Sequence, residues 1–157
     1  MRILKLKRLL RKKNFQTIIR FYLFECPVQY NNGKKVSAMG KTFNERRLGN
    51  KALNTLKAAM CRCSRVSLSK SNGRLIVPEG YGEYLIIKER SDISVVNGYF
   101  YAIRNAFAHG MFSLDGEYYL IENWNKGELK AIGRLKEKTL LRWIELCDMD
   151  VAELKEV

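Results

Sequence analysis

Ile93, Val96, Phe100, Ile103 and Phe107 follow one another at alternating three- and four-residue intervals. That spacing places all five on one face of an α-helix. Ser91 or Asp92 is suited to cap the start of this helix, and Gly110 stands where a C-terminal stop is expected. A helix over 4–24 is predicted from Leu4, Leu6, Leu9 and Leu10 running into Ile18, Ile19, Phe21 and Leu23, ended by Pro27 and the Asn31-Asn32-Gly33 turn signal. Another is predicted over 44–68, with Asn44 as cap and Leu48, Ala52, Leu56, Ala59 and Cys63 as its apolar face. The stretch 74–91 fits helix or strand. Short runs at 111–114, 117–124 and 129–135, separated by Asp115-Gly116 and Asn125-Lys126-Gly127, read as three strands of a small antiparallel meander. Residues 136–157 return to helical spacing through Leu140, Leu141, Ile144 and Leu154. The expected fold class is therefore mainly α, a helical bundle with the β-meander inserted after the helix that ends at His109.

At 157 residues, 46% hydrophobic and 29% charged, the chain is expected to be one globular domain over 1–157. It divides into a basic helical half over 1–78 and a half over 79–157 holding the motif helix, the meander and the C-terminal helix. No apolar run approaches the roughly 20 residues needed to cross a bilayer, so a soluble, cytoplasmic protein without membrane association is expected. The formal net charge is +13, and it is unevenly spread: 19 Lys and Arg in 1–78 face only Glu25 and Glu45, whereas 79–157 holds 10 basic and 14 acidic residues. Self-repulsion of that size opposes compaction, and a polyanion relieves it; nucleic acid is the commonest. The same charge also fits a solvated basic surface or attraction to anionic lipid. Lys12, Lys13, Arg46 and Arg47 are the candidate RNA-binding residues. Cys26, Cys61, Cys63 and Cys147 form no Cys-x-x-Cys pair, and Cys61 and Cys63 point apart on a helix, so buried reduced thiols are expected and no metal or cofactor.

His109 is the only histidine, and histidine is the side chain whose ordinary pKa of about 6.5 suits proton transfer near neutrality. On a regular helix Asn105 and His109 are neighbours on one face, and Asn97, Tyr101, Arg104, Asn105 and His109 form a polar edge beside the apolar seam. Arg104 and His109 lie about 140° apart on an ideal helix, a gap that a helix end at Gly110 or the reach of an arginine must close. A lone histidine can also simply cap a carbonyl, and Arg104 can be a packing residue. Tyr118, Tyr119, Trp124 and Trp143 are aromatic enough to stack bases, although core packing is the expected role.

The segment Arg104-Asn105-Ala106-Phe107-Ala108-His109 resembles the signature of the HEPN superfamily. The wider stretch 101–112, with the Tyr-rich strand and Arg134 to Ile144 after it, resembles a HEPN group found on plasmids and mobile elements; the likeness covers about 91–147 and does not reach the basic half. It implies a HEPN-like helical bundle and a dimeric ribonuclease of a toxin or anti-phage defence system, with an antitoxin or defence-system partner. Some relatives carry a Tyr two residues after the His that a partner nucleotidyltransferase modifies; here that position is Met111. The expected function is a metal-independent endoribonuclease acting through the 2′-hydroxyl, with Arg104, Asn105 and His109 as catalytic residues at a homodimer interface. The alternatives are a non-catalytic nucleic-acid-binding protein, or a protein-interaction module such as an antitoxin or inhibitor that uses the basic half.

Overall fold

The computed structural model describes residues 3–26, 49–77, 80, 82–89 and 95–157. The first expected helix is broken into α1 (Ile3–Leu9) and α2 (Lys13–Arg20), with Lys12 extended between them. In an unbroken helix Leu9 and Phe15 would point about 120° apart; the break lets both into the core, leaving Leu4 and Leu10 exposed. It also spreads a run of cations that would crowd one helix. After α2 the chain widens into a π-helical turn, Phe21–Glu25, closed by the Cys26 N–H donating to the Phe21 carbonyl at 2.6 Å. The wider turn brings the adjacent Phe21 and Tyr22 into the core together, and the Tyr22 hydroxyl donates to the Leu140 carbonyl at 2.8 Å.

Helix α3 (Gly49–Ser64) buries Ala52, Leu53, Leu56, Ala59 and Met60. The proposed cap at Asn44 lies outside the described residues. The helix does not reach Leu68. Arg65 adopts φ +52 and its N–H donates to the Cys61 carbonyl at 2.8 Å, a left-handed termination. The chain then enters β1 (Ser67–Ser71), where Leu68 alternates with serines in strand fashion. The ambiguous stretch supplies β2 (Tyr84–Lys88), whose Leu85, Ile86 and Ile87 are all buried, the pattern of an interior strand.

Helix α4 (Val95–Ala108) follows the apolar seam read from the sequence, with Val96, Phe100, Ile103 and Phe107 buried; its proposed cap at Ser91 or Asp92 lies outside the described residues. Then come β3 (Phe112–Asp115), β4 (Tyr118–Asn125) and β5 (Glu128–Lys136). Helices α5 (Glu137–Asp148) and α6 (Val151–Glu156) end the chain, separated at Met149-Asp150, where Asp150 and Glu153 form a reciprocal cap.

The expectation of a mainly helical, HEPN-like bundle is overturned. The strands form one five-stranded mixed sheet in the order β1-β2-β5-β4-β3. β1 pairs parallel with β2, and the remaining pairs are antiparallel. The three strands after α4 are thus no insertion into a bundle; β5 is the central strand, and β1 and β2 complete the sheet on its other side. Leu85, Ile87, Tyr119, Ile121, Ala131 and Leu135 bury one face of the sheet against the helices, with α4 resting on β4 and β2 and α5 on β5. Gly133 is required there: a Cβ would stand 2.9 Å from Ile121 Cγ1 and Leu85 Cδ1. Trp143 is wholly buried and donates to the Met60 carbonyl at 3.3 Å. The buried cluster runs from Leu9 to Leu154, so both halves of the charge map share it.

Candidate active site

Helix α4 carries the motif to its very end. The His109 N–H still donates to the Asn105 carbonyl at 3.0 Å; then Gly110, at φ +66, donates to Phe107 at 3.3 Å and Met111 donates to Ala106 at 2.8 Å. This is a Schellman termination. It fixes His109 as the last residue of the final turn, with its side chain exposed.

Arg104, Asn105 and His109 line one cavity of about 700 Å³, together with Tyr101 from the preceding turn. Arg104 and His109 thus open on the same cavity despite the angle between them. Asn97, the fifth member of the polar edge, is buried and does not line the cavity. Arg104 is half-buried, and its Nε is fully buried with no hydrogen-bond partner among the described residues. Leaving a buried donor unsatisfied costs about 1–3 kcal/mol, a cost that an anion seated beside the guanidinium would relieve.

The opposite wall comes from the tip of the β4–β5 hairpin and the end of β2. Asn123, Trp124, Asn125 and Lys130 come from the first, Lys88 and Glu89 from the second. A bulge interrupts the pairing here: Asn123 faces Ala131 and Trp124 faces Leu129, so the register skips Lys130. The Trp124 ring is 46% exposed, its indole N–H donating to Glu122 at 2.7 Å. Packing is the role expected of all four aromatics. Tyr119 and Trp143 are indeed core residues, whereas Trp124 stands at the cavity. The sequence holds a signal for this wall, because the turn at Asn125-Lys126-Gly127 brings Trp124 and Lys130 together, but only the sheet carries that hairpin to α4.

Charge at the site is partly neutralised. Lys88 and Lys130 both bond the Glu128 carboxylate, and those hydrogen bonds, from Lys130 first, hold its carboxyl down to about 2. Glu89 pairs with Lys70 at 3.0 Å. Among the described residues Arg104 makes no such pair.

Of the candidate RNA-binding residues, Lys12 and Lys13 are exposed at the α1–α2 break and line neither this cavity nor the larger one at the far end of β5, whereas Arg46 and Arg47 lie outside the described residues. Among the described residues no group of three or more His, Cys, Asp or Glu is placed to hold a metal ion, and no helix is long and apolar enough to cross a membrane. Cys26 and Cys147 are buried, Cys61 and Cys63 half-buried, and all four are free thiols. Comparison with protein-family models, curated proteins and solved structures returns no match, so the HEPN resemblance rests on the residues of the stretch 91–147 alone.

Proposed function

We propose that the chain is an endoribonuclease that cleaves RNA through its own 2′-hydroxyl, with a HEPN-type motif carried on a mixed α/β scaffold. The observation that carries this reading is the meeting of Arg104, Asn105 and His109 in one cavity, with a buried guanidinium nitrogen that has no hydrogen-bond partner among the described residues. Metal-free cleavage needs a base at the 2′-hydroxyl, a cation at the charge developing on phosphorus and an acid at the departing 5′-oxygen. His109 takes the 2′-proton as the 2′-oxygen bonds to phosphorus. Arg104 holds the non-bridging phosphate oxygens, and Asn105 orients the phosphate or the imidazole. The bond to the 5′-oxygen breaks, leaving a 2′,3′-cyclic phosphate and a 5′-hydroxyl.

The leaving oxygen needs a proton, and the chain has a single histidine. A homodimer with two-fold symmetry, setting the two exposed α4 ends side by side, supplies the second imidazole. The partners under this reading are thus RNA, a second copy of the chain and, as the motif resemblance implies, an antitoxin or defence-system protein.

The test is incubation of mixed RNA in excess EDTA with wild type, Arg104→Ala and His109→Ala. Cleavage by the wild type alone is expected, with cyclic phosphate ends. RNA binding without cleavage by all three would instead identify a nucleic-acid-binding protein, and no affinity for RNA at low salt would identify a protein-interaction module. Strictly monomeric active enzyme removes the two-copy mechanism.

A further inference from the structure

The other end of β5 opens on a second, larger cavity, of about 790 Å³, that the motif does not touch. Its walls carry Arg62, Arg65, Lys136, Lys138 and Arg142 against one carboxylate, Glu83. The carboxylate is buried and committed, its Oε1 accepting from the Lys136 main-chain N–H at 2.7 Å. Lys136 pairs with Glu117 at 3.2 Å and Arg142 with Glu145 at 2.6 Å. Arg62 is held by the main-chain oxygens of Leu154 at 2.8 Å and Val157 at 3.1 Å. Arg65 and Lys138 have no ion-pair partner among the described residues.

Three further features converge here. Arg65 is the left-handed residue that ends α3, a place where glycine is the unstrained choice and any other residue costs about 1–2 kcal/mol. The strain is retained with a guanidinium in the cavity wall. The twelve-residue helix α5 begins at the cavity with Lys138 and Thr139 in its first turn, and its start has no side-chain cap, so its positive end adds to the field. Tyr118, also in the wall, lies 3.5 Å beneath the Arg134 guanidinium, whose buried Nη1 has no hydrogen-bond partner among the described residues.

We propose that this cavity is a phosphate-binding site that grips the backbone of the RNA strand whose scissile bond lies at His109. Lys130 lines the motif cavity and Lys136 this one, so the two are separated by the length of β5 between them, about 20 Å at 3.3 Å per residue. Arg134 and Lys136 alternate onto one face of that strand, and the pairing sets Tyr118 beside Lys136. A few nucleotides of extended strand span that distance. The assignment of the ligand as substrate RNA rests on the ribonuclease reading; the phosphate site itself does not.

The experiment measures binding of a labelled, mixed-sequence single-stranded RNA oligonucleotide to the full chain in a His109→Ala background, so that cleavage does not intrude. Arg65→Gly removes the charge and the strain together. It is expected to weaken RNA binding about tenfold and to lower the salt dependence by about 0.7, the value of one single-strand phosphate contact. Its Tm should be equal or higher, because glycine accepts the left-handed conformation freely. Lys138→Gln, which leaves the α3 end untouched, should weaken binding in the same direction, and Arg74→Gln is the charge-matched control. RNA affinity in Arg65→Gly and Lys138→Gln no lower than in Arg74→Gln overturns the site. Tripolyphosphate serves as second probe: if Arg65→Gly weakens its binding while RNA affinity is intact, the ligand is a free polyphosphate or nucleotide and the RNA assignment falls. RNA affinity sensitive to Arg65, with no cleavage by the protein that retains His109, supports the site and rejects the ribonuclease reading instead.

Discussion

Helices α3 and α4 end alike and do opposite things with the ending. Each stops on a residue in the left-handed conformation, and each stop borders a cavity. At α4 the residue is Gly110, which turns the chain without strain and leaves His109 as the last side chain of the helix. At α3 it is Arg65, whose own side chain enters the cavity wall. The first ending positions a neighbour; the second presents itself, at a conformational cost. The charge differs in the same sense. Lys88 and Lys130 at the α4 cavity share the Glu128 carboxylate, while Arg65 and Lys138 at the α3 cavity have no such partner among the described residues. A cavity that performs a reaction needs one cation well placed, here Arg104, whereas a cavity that holds a polyanion needs several that are free. Counting lysines and arginines does not distinguish the two, but the pairing of each does.

The largest expected effect breaks the α4 side alone. His109→Ala and Arg104→Ala should each lower RNA cleavage by about 10²–10⁴-fold, the usual worth of a general base or of a charge-stabilising group, with Tm and RNA affinity at the α3 cavity retained. Single-turnover cleavage with thermal denaturation alongside measures this, and cleavage within twofold of wild type removes the assignment. Gly133→Ala strikes both cavities at once through the sheet that joins them. Its Cβ would meet Ile121 and Leu85 at 2.9 Å, so a loss of about 1–3 kcal/mol is expected; an unchanged denaturant midpoint would show that the sheet has more room than this packing allows.

Gly110→Ala tests the asymmetry of the two endings. Nothing lies within 4 Å of the added Cβ, yet φ is +66, so the expected cost of about 1–2 kcal/mol is purely conformational. It should be opposite in sign to the effect of Arg65→Gly on stability. Equal shifts in both variants would mean that the endings are not equivalent in backbone strain.

Glu128→Gln gives the smallest effect and makes the α4 cavity more like its counterpart. Freed of their shared carboxylate, Lys88 and Lys130 should raise RNA affinity by roughly two- to fivefold at low salt, with the gain screened above about 0.15 M. Because the Glu128 carboxyl is held at about 2 in the fold, against an ordinary 4.5, its contribution to stability is present above 4.5 and is lost as pH falls through about 2. An NMR titration of that carboxyl with a midpoint near 4.5 would show that the lysines do not engage it in solution.

Much of the local structure was legible in the chain. The seam from Val96 to Phe107, the stop at Gly110 and the three strands after it were readable because helix and strand periodicities are properties of neighbouring residues, and each of these segments keeps its period over most of its length. The first helix failed as one piece because a run of leucines and cations satisfies the helical pattern on both sides of Lys12 while the core accepts only one orientation of each part. The fold class failed for a different reason. Leu68 continues the α3 pattern as well as it begins a strand, and Leu85-Ile86-Ile87 has no period at all; a buried strand is specified by its neighbours in the sheet, and those lie far off in sequence.

What the sequence by itself determined is the motif and its place at a helix end: Arg104, Asn105, His109 and Gly110 sit within seven consecutive positions, and their geometry is set by the helix they share. What only the tertiary structure decided is everything opposite them. Trp124 and Lys130 are carried to the motif by the hairpin, and Arg65, Lys138 and Arg142 are gathered at the far end of β5 by the packing of α3 against α5. Local conformation comes from hydrogen bonds and periods within a few residues, whereas a cavity is the space left between surfaces that meet because their apolar faces are buried together.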